Sequence, residues 1–294
     1  MNDEILIILP VHNRKDITSN FVCQLKRQTY DHYRLIVIDD GSTDGTAEML
    51  HESFPDATIL RGNGDLWWAG SLQLAFNWLR AQSFPSNSIV LIVNDDVYIN
   101  TDFLERATLI LKERSKTLLA PYAYYSETKQ INDPGVCADW RRLTFNHAVS
   151  KDEINCLSTR ALFLRLADFI FVGGFHPKLL PHYLSDYEFT MRARAKGMTL
   201  TAEPSLKLFI SEHTTGFDHA CETSFFAFQK KLFSRKSMLN PFAWFFFVAL
   251  ACPWRWKFIN WLRIFERTVI LEIRQLVNGI NRLLGKGAGN TICR

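Results

Sequence analysis

The run Ile89-Val90-Leu91-Ile92-Val93-Asn94-Asp95-Asp96 narrows the fold most. Five successive aliphatic residues have the composition of a strand buried on both faces, the habit of a parallel sheet. The acids then fall at a strand end, where open α/β sheets bind ligands. They would serve equally to open a loop and cap a helix around 102–113. The wider pattern favours the sheet. Aliphatic runs at 5–9, 35–38, 58–60 and 89–93 alternate with segments of helical period at 16–28, 46–51 and 71–81. This β-α-β-α-β-α-β order predicts a Rossmann-like, mostly parallel sheet flanked by helices, an α/β fold. From 121 to 158 the pattern dissolves into a polar and aromatic stretch. Strands are expected again at 161–165 and 206–211, with a helix at 186–196 between them.

A chain of 294 residues, 47% hydrophobic and 22% charged, can bury a substantial core. Charge divides it unevenly: residues 225–294 carry twelve Lys and Arg against two acids, a net of +10, leaving −6 for residues 1–224 to give the total of +4. The division predicts a main domain over 1–224 and a basic helical extension over 225–294 with a different partner. Six scattered cysteines form no C-x-x-C pair, so a reducing compartment is expected. The N-terminus has acids where a signal peptide has cations and reads as a first strand, which points to a cytoplasmic location.

Each early strand ends in polar residues: PVHNR, DDGSTDGT, RGNGDLWWAG and NDDV. These are turn-forming residues, but in a parallel sheet all four loops emerge at one edge. No G-x-G-x-x-G follows the first strand and no G-x-x-x-x-G-K-[ST] occurs, so neither a dinucleotide fingerprint nor a P-loop is present. An acidic edge would repel a diphosphate unless a divalent cation stood between them, and carboxylate oxygens suit Mg²⁺ or Mn²⁺.

These segments, with the later VGGF, SDYEFTMRARAKG and the His of SEHTTGF, resemble in their order the family 2 glycosyltransferases of GT-A fold, over about residues 4–220. The resemblance implies that Pro10, Val11, Asn13, Asp39 and Asp40 surround the nucleotide of a nucleoside-diphosphate sugar, although Asp39 and Asp40 could instead form an Asx-turn and a helix cap. The family's D-x-D motif stands here as Asn94-Asp95-Asp96. It implies Asp96 as ligand of Mn or Mg, with Asn94 and Asp95 beside ribose or sugar. Ser185-Asp186-Tyr187-Glu188 matches the family's acidic pair, with Ser185 in place of the first acid, Asp186 as catalytic base and Glu188 as its understudy, although by its position alone Asp186 could instead cap the 188–196 helix. His213 matches a late His that can reach metal or diphosphate, though a lone His is often structural. Gly173 and Gly174 match an acceptor-side turn. Gly64 and Trp68 lie in a Gly-rich, Trp-bearing loop that either lines the donor pocket or covers core tryptophans.

The implied reaction is an inverting, metal-dependent transfer to a glycan or lipid-linked acceptor in surface polysaccharide synthesis. An unperturbed carboxyl, with a pKa of about 4, would keep Asp186 ionised at neutral pH. A catalytically silent, membrane-associated nucleotide-sugar-binding module is the alternative. A nucleotidyltransferase is disfavoured because PVHNRK has no glycine. The basic tail carries four of the eight tryptophans, and its most apolar run, 242–252, is shorter than the ~20 residues of a spanning helix. Aromatic and cationic residues together suggest peripheral contact with an anionic cytoplasmic leaflet. A subdomain packed on the main domain, or a homodimer contact, is the other reading. No nucleic-acid-binding motif is present.

Overall fold

The computed structural model describes residues 3–211 and 225–283. Its first half runs β1 (Ile5–Val11), α1 (Lys15–Leu25), β2 (Tyr33–Asp39), α2 (Thr46–Ser53), β3 (Thr58–Arg61), α3 (Trp67–Arg80), β4 (Ile89–Val93), β5 (Val97–Ile99) and α4 (Phe103–Lys112). β1 is central: Ile5 registers with Tyr33 of β2 on one side and Ile89 of β4 on the other, both parallel. Residues 5–9 and all of β4 are fully buried, as an aliphatic run covered on both faces requires. The period of two then assigns the layers. Leu6, Ile8, Ile36 and Ile38 pack with Ala69, Leu72, Phe76 and Leu79 of α3, while Ile5, Ile7, Leu35 and Val37 pack with α1, α2 and α4.

The second half comprises β6 (Thr117–Tyr125), β7 (Ile131–Asp133), β8 (Val136–Asp139), β9 (Thr144–His147), β10 (Ala161–Arg165), α5 (Leu166–Val172), α6 (Ser185–Ala195) and β11 (Thr199–Ile210), then α7 (Phe225–Leu232), α8 (Pro241–Ala251) and α9 (Trp254–Leu283). The nine-stranded sheet has the order β3-β2-β1-β4-β10-β6-β11-β5, with β7 beside β6. β10 is antiparallel to both β4 and β6, so β6 and β11 resume the direction of β1 to β4, and only β10, β5 and β7 oppose it. The sheet is thus mostly parallel and flanked by helices.

The stretch 121–158, expected to lack regular structure, instead contributes most of β6 and the β7, β8 and β9 strands. Pro121 and Pro204 hid β6 and the first half of β11, because proline argues against a central strand. The structure accommodates them at one place: Pro121 registers with Glu203, and the β6–β11 pairing slips between Glu203 and Lys207. α3 also begins earlier than the expected 71. Its first amides have a partner from another loop, described below.

The C-terminal helices pack on the rest of the chain. Asn240 caps α8, its Oδ1 accepting from the amides of Phe242 and Ala243, and Pro241 occupies the first helical position, where no amide is needed. Phe247 of α8 is buried among Val136, Ala138, Leu180 and Met191, against the β8–β9 hairpin and α6. Fully buried Asn260 of α9 donates to Trp140 O at 2.9 Å. Among the described residues, no helix is long and apolar enough to cross a membrane.

Candidate active site

The loops after β1, β2, β3 and β4 meet at one edge of the sheet and are held by each other's polar groups. Val11 O accepts from Asp40 N at 2.9 Å. Asn13, in a left-handed conformation with φ 51°, takes Thr43 N on its Oδ1 at 2.7 Å and donates its own amide to Ser42 Oγ at 2.9 Å. Pro10 registers with Ile38 immediately beneath. Asp39 Oδ1 accepts from Ser42 N, three residues on, at 2.9 Å and so fixes the turn after β2.

Asp40 does more. Its buried carboxylate accepts from the amides of Gly64 (2.8 Å), Leu66 (2.9 Å) and Trp67 (3.1 Å). It therefore neutralises the amide end of α3 from 26 residues upstream, where a negative charge is most favourable. The close approach requires glycine: a Cβ on Gly62 would stand 2.5 Å from Asp40 Oδ1. Gly64 has φ 86°. Half-buried Trp68 anchors the start of α3 by donating Nε1 to Thr159 Oγ1 at 3.0 Å.

At the end of β4, Asp95 is buried and accepts from Thr18 Oγ1 at 2.8 Å. Desolvation pushes its carboxyl up to about 6, against the stabilising Arg14 guanidinium at 3.3 Å. Arg14 also reaches Asp96 Oδ2 at 3.0 Å, so one guanidinium bridges both acids. Asn94 donates its amide to Arg160 O, while its buried Oδ1 has no hydrogen-bond partner among the described residues. No group of three or more His, Cys, Asp or Glu gathers around a common point among those residues. A magnesium-like ion shared with a diphosphate nevertheless needs only one or two protein carboxylates. Asp96, paired here with Arg14, can supply one such carboxylate. His213 lies outside the described residues.

Asp186 is the second residue of α6, whose cap position is Leu184, in a left-handed conformation with φ 69°. Such a conformation in a branched residue is costly and persists only where the surroundings enforce it. Asp186 Oδ1 accepts from Tyr187 N at 2.9 Å. Burial pushes its carboxyl up to about 6; nearby Asp133 raises it further and Arg160 opposes this. The ordinary carboxyl pKa expected from sequence is therefore corrected upward, because the group is largely desolvated. Its surroundings reach the end of β4: Arg160, whose carbonyl holds Asn94, donates to Asn132 Oδ1, and Asp133 accepts from Ser158 Oγ.

Glu188 is buried and clamped by Arg192 through Nε to Oε1 at 2.8 Å and Nη2 to Oε2 at 3.0 Å. The same guanidinium donates to Val172 O and Gly174 O, each at 2.7 Å. Glu188 thus orients the arginine that fastens the Gly173–Gly174 turn to α6. Gly174 packs against Gln73, whose Oε1 accepts from Phe175 N at 2.6 Å. Sequence reasoning missed Arg14, Arg160 and Arg192. Only Arg192 left a local signal, the four-residue spacing from Glu188.

A parallel sheet with acid-bearing loops at its strand ends, followed by an antiparallel strand and an acid-headed helix, defines the GT-A class of fold. The model of glycosyl transferase family 2 matches residues 6–168, more than half of the sequence, and the chain belongs to that family. Comparison with curated proteins finds no match. Among solved structures, the fold is similar to the mannosyltransferase PcManGT from Pyrobaculum calidifontis in complex with GDP-Man and Mn²⁺, with a TM-score of 0.54 and 17% identity, covering 72% of this chain and 58% of that one. It is also similar to GalNAc-T7 with UDP, GalNAc and Mn²⁺ (TM-score 0.58, 12% identity, 72% of this chain and 44% of that one). S. aureus TarS 1-349 in complex with UDP-GlcNAc is a further similar structure (TM-score 0.58, 16% identity, 86% and 82%). The chain spans 58% of the PcManGT chain, 44% of the GalNAc-T7 chain and 50% of the longer TarS chain.

Proposed function

We propose that this protein transfers a sugar from a nucleoside-diphosphate sugar to a hydroxyl of a glycan or lipid-linked acceptor, with inversion, in the building of a surface polysaccharide. The observation that carries this reading is Asp186: a half-buried carboxylate at the head of α6 that shares Arg160 with the end of β4. With a pKa of about 6 it is mostly ionised at neutral pH, yet more basic than an exposed aspartate. It accepts the proton of the acceptor hydroxyl as that oxygen bonds to the anomeric carbon and the bond to the diphosphate breaks. One in-line displacement inverts the centre.

The loops of Pro10, Val11, Asn13, Asp39 and Asp40 form the nucleotide side, with Gly64, Trp68, Asn94 and Asp95 beside the sugar. Asp39 and Asp40 act mainly by fixing loop backbone, since their hydrogen bonds go to loop amides. Asp96, with His213, would hold a divalent cation, Mn or Mg, which supplies neutralisation of the departing diphosphate. Arg14 places a fixed positive charge at the same point. Glu188, Gly173 and Gly174 set the acceptor-side turn.

α9 supports peripheral attachment to the cytoplasmic membrane face. Trp254, Phe258, Leu262, Phe265, Val269, Ile273 and Leu276 recur at helical spacing, and all are exposed. Arg255, Lys257, Arg263, Arg267 and Arg274 lie on the same helix. An apolar stripe with cationic flanks suits an anionic lipid surface. The same stripe would pair with a second copy if no lipid bound it.

Calorimetric titration with UDP, GDP, dTDP and CDP, each with Mn²⁺, Mg²⁺ or EDTA, tests the donor reading. One nucleotide should bind selectively and more weakly in EDTA; no binding of any would overturn it.

A further inference from the structure

A pocket of about 150 Å³ opens where the C-terminal helices meet the segment that leads into Asp186. One wall is Lys178, His182 and Tyr183; the other is Arg235, Phe242 and Phe246. Three contacts tie it to the site. Pro181 O accepts from Ala69 N of α3 at 3.0 Å, and the His182 ring meets Trp67 edge-on at 5.9 Å. On the other side, Ser185, next to Asp186, donates its hydroxyl to His182 O at 2.7 Å.

The lining has a definite chemistry. It includes no acidic side chain. Arg235 is paired with Asp65, but exposed Lys178 makes no ion pair among the described residues. Buried His182 Nδ1 has no hydrogen-bond partner there either, and burial, with Lys236 nearby, pulls its pKa down to about 4, so the ring is neutral. Tyr183, Phe242 and Phe246 supply flat apolar faces of the kind that stack on sugar rings.

We propose that this pocket seats the acceptor, and that the unit it takes is a sugar or polyol bearing an anionic group. The phosphate or carboxylate lies against Lys178, and the carbon skeleton lies on the aromatic wall. This inference rests on the transferase reading above. It gives the tail a second role, since half of the pocket is built from residues beyond Leu232.

The test is calorimetry on the full chain, with and without the nucleoside diphosphate that binds it, using glucose 6-phosphate, glucuronate and glucose as probes. At least one charged probe should bind about tenfold more tightly than glucose, as a charge-assisted contact implies. The stronger of the two identifies the anionic group. Lys178→Ala should erase the preference and Lys178→Glu reverse it, with nucleotide affinity unchanged; Lys178 is exposed, so both variants should fold. If nucleotide binds but glucose matches both charged probes, or no probe binds, the pocket assignment is wrong and the transferase reading stands. If the charge preference is present but no nucleotide binds, the transferase reading fails instead.

Discussion

The strand-end loops and the C-terminal helices satisfy their side chains in opposite ways. At the strand ends the four carboxylates are engaged: Asp39 and Asp40 by loop amides, Asp95 by Thr18 and Arg14, Asp96 by Arg14. In α8 and α9, one face is sealed around Phe247 and Val248 while large apolar side chains stand in solvent, Trp254 at 87% and Phe258 at 71% exposure. The first region is organised inward, so its polar groups define a shape. The second leaves large apolar side chains in solvent, the surface that the proposed membrane contact would cover.

The sharpest way to break this comparison is Asp186→Asn. Transfer should fall by about 10²–10⁴-fold while donor affinity holds, read from initial rates beside nucleotide titration. Unchanged activity would remove Asp186 from the base role. The same variant should fold more stably. The folded carboxyl titrates near 6 instead of 3.8, so folding favours the protonated form, and ionisation costs stability as pH rises through that window. Removing the charge should recover at most about 3 kcal/mol at pH 7, measured by denaturant unfolding.

Next in size are two structural losses, one in each region. Asp40→Ala strips three amides of a charged acceptor and should cost about 3–5 kcal/mol, with loosening of the 62–67 loop visible in hydrogen exchange. Phe247→Ala should cost about 3–5 kcal/mol, because it leaves a cavity between α8 and the β8–β9 hairpin. If only Asp40→Ala destabilises, α8 is not part of the same core.

A smaller effect distinguishes the two faces of α9. The double variant Phe258→Ser, Phe265→Ser should leave stability within about 0.5 kcal/mol. It should sharply reduce cosedimentation with phosphatidylserine vesicles. If vesicle binding persists, or if the wild-type protein sediments as a dimer that the variant abolishes, a second copy covers the stripe instead.

Smallest is the acid limb of the pH–rate profile. Asp186 must be ionised to accept a proton, so kcat/KM should fall tenfold per pH unit below about 6 and reach a plateau above it. A limb near 4 would mean that the base sits in water, contrary to its place at the head of α6.

Much of the strand-end region was legible because its signals are local. A fully buried strand must be continuously apolar, so β4 matched its expected limits; β10, apolar up to its terminal Arg165, matched as well, and β1 and β2 differed only at their ends. The acids Asp39, Asp40, Asp95 and Asp96 were found by the same logic: they follow such runs. Where two prolines broke the alternation, β6 and half of β11 escaped notice. The aromatic hairpin of β8 and β9 escaped as well, since its strands are only four residues each and pair with nothing in the main sheet.

Sequence alone determined the layered α/β architecture, the edge at which the polar loops emerge and the acid that heads α6, because each follows from periodicity or position along one strand or helix. Tertiary structure decided what those acids do. That Asp40 serves the amides of a helix 26 residues away, that Arg14 spans two carboxylates some 80 positions distant, and that desolvation raises Asp186 are consequences of through-space distance and burial. Tertiary structure likewise divided the tail's aromatics into a buried face and an exposed one. Hydrogen bonds and desolvation act over a few ångströms whatever the separation along the chain, so no local pattern could encode their partners.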